Sequence, residues 1–426
     1  MSTSATFSTS RTEIAGIPVT DLVRQFGTPT FVYDAAKICE RIEDLRSFDC
    51  VRYAVKACSN LAILDLVRRQ GALVDTVSAG EIRRALAAGY SPEGDPPPIV
   101  YCADVFTHET LDLVVEKNVH VNCGSPDMID QYGSRAPGRP ITLRINPGFG
   151  HGHSRKTNTG GEHSKHGIWH QQLGHCLTRA EHYGLEVTGL HVHIGSGSDL
   201  EHLSQVSRAM EKMALETGDR VQSISAGGGL PTPYRDGDSC VDLEAYFRRW
   251  DGARRRLQEE FRHPVRLEIE PGRYPVAESG YLVAEIRAVK RQAENTFYLV
   301  DAGFNNLARP ILYGAYHPMS IVPADGDTQR QETDVIVGGP LCESGDIFTQ
   351  AEGGLVETRR LPAAAVGDLL VIECAGAYGA VMGSNYNSQP LAAEVLIQNA
   401  QPHLIRRRQT FEEMTAGESI PERAHG

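Results

Sequence analysis

Between residues 37 and 274, short apolar runs alternate with stretches whose apolar residues recur at a helical period. The apolar runs predict eight strands, at 51–56, 73–78, 98–103, 119–124, 141–147, 189–196, 223–229 and 266–272. Polar or glycine-rich residues stand at the carboxyl ends of these runs. This pattern predicts an α/β fold, a (β/α)8 barrel with its active site at that face. A doubly wound sheet is the alternative, but the polar clusters at successive strand ends favour closure.

The chain after this region is rich in strands and poor in helices. It predicts strands at 281–291, 295–303, 333–340, 368–376 and 393–408. These strands indicate a second, all-β domain that is barrel-like, at 275–426. An apolar run at 29–34 precedes the (β/α)8 barrel of residues 37–274, and we expect this strand of segment 1–36 to join the β domain.

Length and charge limit the function classes. A chain of 426 residues exceeds the size at which a single core usually keeps growing. Its 42 Lys and Arg against 54 Asp and Glu give a net charge of -12, which disfavours nucleic acid and anionic membranes as partners. No apolar stretch approaches the ~20 residues of a membrane span, and the start MSTSATFSTS lacks the apolar core of a signal peptide. We therefore expect a cytoplasmic protein acting on a small molecule.

The nine cysteines are scattered singly, without a CxxC pair. Their odd number and irregular spacing indicate a reduced compartment and argue against a structural zinc site.

The segment VRYAVKACSN is predicted to place Lys56 at the carboxyl end of the first strand. A buried lysine needs a charged partner or a lowered pKa, and the second case suits a chemical role. The alternative is a structural lysine whose stem is buried and whose ammonium group only reaches the solvent.

Three consecutive glycines, 227–229, end the seventh predicted strand. Glycines let backbone N–H groups approach an anion closely, and the seventh and eighth loops of such barrels often hold phosphate. A tight turn is the alternative, but the motif EPGR on the next strand favours a phosphate site.

His191 and His193 lie two apart on the sixth predicted strand and therefore point to the same side. This spacing raises the alternative of a zinc-dependent hydrolase. We disfavour it because no carboxylate or third histidine ends a neighbouring strand. The other candidate ligands lie in the glycine-rich loop HGHSRKTNTGGEHSKHG, which we expect to fold over the site with Lys165 and His166 as polar surface.

A lysine at a strand end, a glycine-rich phosphate cradle, a flat histidine ring and a buried glutamate are together the groups that pyridoxal 5'-phosphate requires. Lys56 would form the Schiff base, the glycines would bind the phosphate, and Glu270 would keep the pyridine nitrogen protonated.

Eight motifs carry a family resemblance. They are, in chain order, YAVKACSN, VDTVSAGEIRRALAAG, LRINPGFGHGHS, HVHIGSGSD, SAGGGLP, EPGR, GPLCESGDIF and GAYGAVMGSNYN. Together they resemble the alanine-racemase-barrel class of pyridoxal-phosphate decarboxylases, and most closely the diaminopimelate decarboxylases of bacterial lysine biosynthesis. The resemblance runs over residues 29–410. It implies decarboxylation of meso-2,6-diaminopimelate to L-lysine, in a homodimer whose β domain lends residues to the partner's barrel.

The resemblance also assigns roles to single residues. Lys56 is the Schiff-base lysine, His193 stacks on the cofactor ring, and Glu270 pairs with the pyridine nitrogen. The remaining cofactor contacts fall on Asp75, Ser196, Gly227, Gly228, Gly229, Pro271, Gly272, Arg273 and Tyr378. Substrate contacts fall on Arg273, Arg309, Tyr313, Glu343 and Tyr378, and Cys342 is the proton donor that acts from the neighbouring subunit. Asp75 and Arg144 are expected to support the groups that touch the cofactor. This chain reads Lys56-Ala57-Cys58 where many relatives read KAN; the lysine is unaffected, and the difference concerns only the neighbouring packing.

Three other functions were weighed against this one. A racemase on the same barrel would need an arginine in place of Glu270. A decarboxylase of ornithine, lysine or arginine would have no second carboxylate to bind, and so no use for Arg273 and Arg309 together with Glu343. A pyridoxal-phosphate carrier without catalysis would need the barrel alone, whereas this chain has a β domain that bears Cys342.

Overall fold

The computed structural model describes residues 6–149, 159–195 and 200–421, with side chains from 205 onward in the last range. The chain divides into two compact units. The barrel unit consists of Ala35–Ser279, and the β unit combines Phe7–Asp34 with the described chain from Gly280 onward. None of the described helices has the length and apolar character needed to cross a membrane.

The barrel unit is built on eight parallel strands. They are Cys50–Ala54, Leu73–Thr76, Ile99–Ala103, His120–Cys123, Pro140–Asn146, Glu186–Val192, Ser223–Ser225 and Arg266–Ile269. Each pairs with its neighbours in chain order, and the eighth strand returns to the first through the pairs Glu268↔Cys50 and Ile269↔Val51. The sheet is closed, so the (β/α)8 prediction is confirmed and the doubly wound alternative is wrong. A short strand, Ile168–Trp169, extends the sheet beside the end of the fifth barrel strand.

One helix, Ala35–Glu43, precedes the first barrel strand, and a helix follows each strand. The bounds of these following helices are Leu61–Arg69, Ala79–Ala87, His108–Glu116, Pro126–Arg135, Leu173–His182, Leu200–Thr217, Leu243–Phe261 and Arg273–Val276. Side-chain caps fix where several of them begin: Asn60 Oδ1 accepts the Ala62 N–H at 3.0 Å, and Ser78 Oγ accepts the Glu81 N–H at 3.1 Å. These caps come directly after strand ends and set the length of the loops at the carboxyl face.

The interior of the barrel contains a buried ion pair. Arg52, on the first strand, donates from Nε to Glu268 Oε2 at 2.6 Å and from Nη2 to Glu268 Oε1 at 3.2 Å. Both side chains are more than nine-tenths buried. Two charges in such a place stabilise the fold only as a pair, because either one alone would be desolvated without compensation.

The β unit is a twisted set of mostly antiparallel strands. They are Glu13–Ile14, Ile17–Pro18, Thr30–Asp34, Gly280–Gln292, Asn295–Val300, Met319–Val322, Glu332–Gly338, Arg359–Pro362, Leu369–Ile372, Ala393–Gln398 and Gln401–Arg406. Thr30–Asp34 lies between Gly280–Gln292, to which it is antiparallel, and Ala393–Gln398, to which it is parallel. Its helices are Val19–Phe26, Arg309–Tyr313 and Phe411–Thr415. The core is built from β-branched and leucine side chains, among them Val32, Val283, Val371 and Val395.

Two predictions about the β unit are wrong. The segment 393–408 is a hairpin rather than one strand, because Asn399 and Ala400 turn the chain with φ of 54° and 57°. Strands at Met319–Val322 and Arg359–Pro362 were not predicted. Both are four residues long and adjoin or contain a proline, a combination that gives too little periodicity to recognise.

Candidate active site

Lys56 lies one turn beyond the first barrel strand. The strand ends at Ala54, and Lys56 is the middle residue of a 3-10 turn, Val55–Ala57, whose outer residues are fully buried. The Ala54 N–H donates to the Pro271 carbonyl at 3.2 Å, which ties the start of this turn to the end of the eighth strand. The prediction that the strand itself ends in Lys56 is therefore wrong by one turn, although the lysine does stand at the carboxyl face.

Asp75, at the end of the second strand, is buried beside this lysine. Burial raises the pKa of Asp75 well above its usual range, the negative charge of Glu270 raises it further, and Lys56 opposes both effects. Its Oδ1 carries no hydrogen bond from the described residues. A buried oxygen in this state is suited to a bound group, because an unsatisfied polar atom is costly.

Glu270 follows the eighth strand and lies close to two side chains, one from the sixth strand and one from the seventh. His191 Nε2 lies 2.6 Å from Glu270 Oε2, and Ser225 Oγ donates to Oε1 at 3.2 Å. Burial by itself would raise the pKa of Glu270, but the interactions with His191, Arg52 and Arg144 outweigh it and lower that pKa to about 2. Glu270 is therefore ionised at neutral pH although its side chain is almost fully buried.

His193 has a different partner from His191. The Gly228 N–H donates to His193 Nδ1 at 3.2 Å, so the ring proton of the neutral form is on Nε2. Burial, followed by the positive charges of Lys56 and Arg144, lowers the pKa of His193 well below its usual range. The ring is thus neutral and fixed in orientation. The zinc alternative requires both histidines to point at one metal ion. His191 lies near Cys102 and Glu270, with ligand atoms within 4.8 Å of one another, but His193 is not part of this group.

The glycine triplet packs against the backbone of the adjacent strands. A Cβ at Gly227 would overlap the Val192 carbonyl, and one at Gly228 would overlap the carbonyl of Glu270. Gly227 and Gly229 have φ of 63° and 99°, which side chains rarely adopt. Only glycine fits here. Two N–H groups of the triplet have side-chain partners: the Gly227 N–H donates to Ser225 Oγ at 3.1 Å, and the Gly228 N–H donates to His193 Nδ1. Ser196, the other predicted phosphate ligand, lies outside the described residues.

Arg144 and the loop after the fifth strand complete this face. Arg144 is buried near Cys102, Asp104, Asp75 and Glu270. Asp104 accepts the Gly167 N–H at 2.7 Å, and its other oxygen lies 2.7 Å from His166 Nδ1. The prediction of His166 as polar surface is wrong, since this ring is partly buried and attaches the loop to the third strand.

Arg273 begins the short helix Arg273–Val276 directly after the eighth strand. It is buried, and its Nη1 donates to the Tyr234 hydroxyl at 2.9 Å. Its guanidinium carbon lies 5.8 Å from the centre of the Tyr234 ring. Tyr234 thus orients the arginine, a role that the sequence did not suggest.

The β unit carries the remaining predicted residues. Arg309 is buried, Tyr313 and Tyr378 are partly buried, and Cys342 and Glu343 are exposed. The backbone N–H of Cys342 donates to Asn387 Oδ1 at 2.7 Å, which fixes the loop that presents the thiol. Tyr378 has a φ of 56°, a strained conformation for a non-glycine residue that is common at functional sites.

Several residues of the face were missed from the sequence. Ser225 and Tyr234 contact the predicted site residues Glu270 and Arg273, and Asp104 contacts His166. Asp104 and Ser225 stand at strand ends, so the rule that strand-end polar residues face the site would have found them. Tyr234 lies in a loop and gave no such signal.

Comparisons with known proteins agree with this geometry. A family model described as the pyridoxal binding domain of pyridoxal-dependent decarboxylases matches residues 36–277. The diaminopimelate decarboxylase of Streptomyces coelicolor is 56% identical over 398 residues, which cover 93% of this chain and 90% of that protein. The one from Escherichia coli K12 is 54% identical over 401 residues, covering 94% and 96%.

Solved structures give the same result. A crystal structure of diaminopimelate decarboxylase matches with a TM-score of 0.91 at 54% identity, over 93% of this chain and 95% of that one. The Helicobacter pylori diaminopimelate decarboxylase complexed with L-lysine matches with a TM-score of 0.83 at 29% identity, over 93% and 98%. The chain belongs to the diaminopimelate decarboxylase family of pyridoxal-dependent decarboxylases.

Proposed function

We propose that this protein decarboxylates meso-2,6-diaminopimelate to L-lysine and carbon dioxide, with pyridoxal 5'-phosphate as its cofactor. The observation that carries the proposal is the ionised Glu270 at the carboxyl face, held by His191 and Ser225. An ionised carboxylate stabilises a protonated pyridine nitrogen, which decarboxylation needs. The names of relatives at 54% and 56% identity support the choice of substrate.

The residues of the face fit this cofactor. A lysine amine, an anionic carboxylate, a neutral imidazole and closely packed glycine N–H groups match its aldehyde, ring nitrogen, ring face and phosphate in turn. The unsatisfied Oδ1 of buried Asp75 is a further polar atom available to it. When bound, pyridoxal phosphate accepts the electron pair that the departing carboxylate leaves on the substrate carbon.

The barrel residues then have distinct roles. Lys56 would supply the amine that attaches the cofactor, and Glu270 would keep a proton on the ring nitrogen. His193, whose orientation the Gly228 N–H fixes, would pack against the ring. Gly227, Gly228 and Gly229 would line the phosphate site, together with Ser196 and the EPGR segment from Glu270 to Arg273.

The β unit supplies the acid and the substrate contacts. We assign the proton that replaces carbon dioxide to the Cys342 thiol, which is exposed and therefore accessible to another chain. The enzyme works as a homodimer in which this thiol and Tyr378 reach the partner's barrel. In a two-fold dimer both subunits use the same surface patch, so each chain would complete the other's site in the same way.

Selection of the substrate depends on the end of the molecule that does not react. Diaminopimelate carries both an ammonium and a carboxylate there, whereas lysine carries only the ammonium. Arg273 or Arg309 binds the distal carboxylate, because the guanidinium fork matches it with two hydrogen bonds. Glu343 binds the distal ammonium, and Tyr313 lines the same region. A site built for that carboxylate penalises ligands that lack it.

The nine cysteines, scattered singly and without a CxxC pair, are consistent with our placement of the enzyme in the cytoplasm, where thiols stay reduced.

The direct test is carbon dioxide release by the purified holoenzyme from meso-diaminopimelate, L-lysine, L-ornithine and L-arginine in parallel. We expect release from diaminopimelate and, for the others, at most about a hundredth of that rate. Equal or faster release from lysine, ornithine or arginine would overturn the substrate assignment. Racemisation without carbon dioxide would overturn the reaction itself.

A further inference from the structure

We infer that His317 is a positioning residue for the proposed substrate arginine, Arg309, and thereby contributes to selection of the distal carboxylate. This inference rests on the proposed function and extends it to a residue of the β unit with no assigned role.

A chain of two hydrogen bonds links Arg309 to the backbone. Arg309 Nη1 and His317 Nε2 are 2.9 Å apart, and His317 Nδ1 is 2.9 Å from the carbonyl oxygen of Glu373. A guanidinium has no acceptor, so Arg309 must donate and His317 Nε2 must accept. The ring proton is then on Nδ1, where it donates to the Glu373 carbonyl. Both contacts are satisfied by the same neutral tautomer.

In this tautomer His317 fixes the direction of the Arg309 side chain without neutralising the charge of its guanidinium group. His317 is fully buried and Arg309 is 7% exposed, so neither side chain can rearrange freely. A carboxylate in the place of His317 would neutralise the guanidinium, whereas a neutral imidazole takes one N–H and leaves the positive charge for an anion. The arrangement suits an arginine that must bind a ligand carboxylate.

The Glu373 end of this hydrogen-bond chain is held in place. The Glu373 N–H donates to the Pro318 carbonyl at 2.8 Å, next to His317 itself. The Glu373 side chain is held by Arg11 Nη2 at 2.8 Å and by Ser320 Oγ at 3.3 Å. The acceptor of the His317 proton is therefore a fixed carbonyl.

The position of Arg309, at the other end of the hydrogen-bond chain, is fixed by the short helix Arg309–Tyr313. The Gly314 N–H donates to the Pro310 carbonyl at 2.8 Å, and Gly314 adopts a φ of 60°. A Cβ at Gly314 would overlap the backbone of Glu352. This glycine turns the chain back so that residue 317 meets residue 309, eight positions earlier.

Two substitutions separate orientation from packing. His317→Gln keeps an acceptor near the position of Nε2, whereas His317→Asn keeps a donor near Nδ1 and loses the acceptor that faces Arg309. We expect His317→Asn to raise the KM for meso-diaminopimelate about tenfold, the effect of one lost hydrogen bond to a charged group. Its kcat should stay within about threefold, because the reacting carbon is untouched. His317→Gln should recover most of the loss in KM.

L-Lysine, the product, provides the matched control because it lacks the distal carboxylate. Its inhibition constant should change by less than about twofold in His317→Asn, since Arg309 has nothing to bind there. Thermal unfolding and the absorbance of the bound cofactor identify any variant that fails to fold. If His317→Asn fails to fold, His317→Gln is compared with Arg309→Lys instead. Arg309→Lys should raise the KM for meso-diaminopimelate, and His317→Gln should leave it near the wild-type value; a KM in His317→Gln as high as in Arg309→Lys would overturn the inference.

The outcomes distinguish the two proposals. Equal rises in KM for His317→Asn and His317→Gln, or an equal rise in the lysine inhibition constant, would show a packing role and overturn the inference. A normal KM for diaminopimelate in Arg309→Lys would overturn the proposed role of Arg309 itself. Absence of carbon dioxide release by the wild-type holoenzyme would overturn the function before any variant is compared.

Discussion

Replacing His191 by phenylalanine tests how the barrel keeps Glu270 ionised. The substitution retains a ring of similar size but removes the nitrogen that lies 2.6 Å from Glu270 Oε2. Burial raises the pKa of Glu270, and His191, Arg52 and Arg144 lower it. Without His191 the lowering effect is smaller, so the pKa of Glu270 rises from about 2. Loss of one member of a buried charged contact costs about 2 to 5 kcal/mol, and about 1.4 kcal/mol is a factor of ten, so the affinity of Glu270 for a proton rises roughly 30-fold to several thousandfold.

The sign of the change determines the assay. An acid whose pKa is raised becomes protonated at a higher pH, so activity that needs the carboxylate is lost earlier on acidification. In the wild-type enzyme the titration of Glu270, near pH 2, lies below the working range. In His191→Phe, kcat/KM measured from about pH 4.5 to about pH 8 should acquire a new acidic limb. The absorbance of the bound cofactor should change over the same range.

The control is His120→Phe, also inside the barrel. His120 Nε2 is bonded to Thr142 Oγ1 at 2.9 Å, and burial lowers the pKa of His120 to about 3, so it is neutral at the assay pH. This variant should lose stability without gaining an acidic limb. A pH profile for His191→Phe that is lowered evenly, with the shape of the wild type, would refute the idea that His191 sets the charge of Glu270.

Three further predictions concern attachment, assembly and stability. Borohydride treatment of the holoenzyme should fix the cofactor on the peptide that contains Lys56, and labelling of another lysine would contradict the assignment. Lys56→Ala and Cys342→Ala should each be nearly inactive, yet after demonstrated subunit exchange their mixture should regain up to about a quarter of wild-type activity; no recovery would mean that the two residues do not meet across a dimer. Arg52→Met should lower the free energy of unfolding by roughly 3 to 5 kcal/mol, and the double variant Arg52→Met/Glu268→Leu should regain most of it in thermal unfolding, because Glu268 is no longer buried without a partner.

The barrel was predictable because its signal is local. Each strand is an apolar run, and each polar end marks the same face, so Lys56, Asp75 and Glu270 could be placed at that face without any knowledge of distances. The sequence did not show that Lys56 lies in a 3-10 turn, because the apolar alternation of YAVK continues across the end of the strand. Only the hydrogen bond from Ala54 to Pro271 reveals where pairing ends.

Contacts between distant residues could not be predicted. Asp104 and His166 are separated by 62 positions, and their pairing depends on the register of the third and fifth strands. The link from Arg309 to His317 depends on the φ of one glycine. The hairpin at 393–408 was missed because its turn, Asn399 with Ala400, lacks the Asn-Gly pair that usually marks such a turn.

The pKa values of two buried carboxylates of the barrel are shifted in opposite directions. Asp75 and Glu270 are both more than nine-tenths buried, and burial favours the neutral acid in each case. His191 and Ser225 contact Glu270 and favour its ionised form, and the resulting charge is one of the causes that raise the pKa of Asp75. The ionised state of one carboxylate thus favours the protonated state of the other, a separation typical of sites that handle protons. A substitution that raises the pKa of Glu270 should therefore lower the pKa of Asp75, because less negative charge then lies beside it. His191→Phe thus changes the proton affinity of both carboxyl groups and not only that of Glu270.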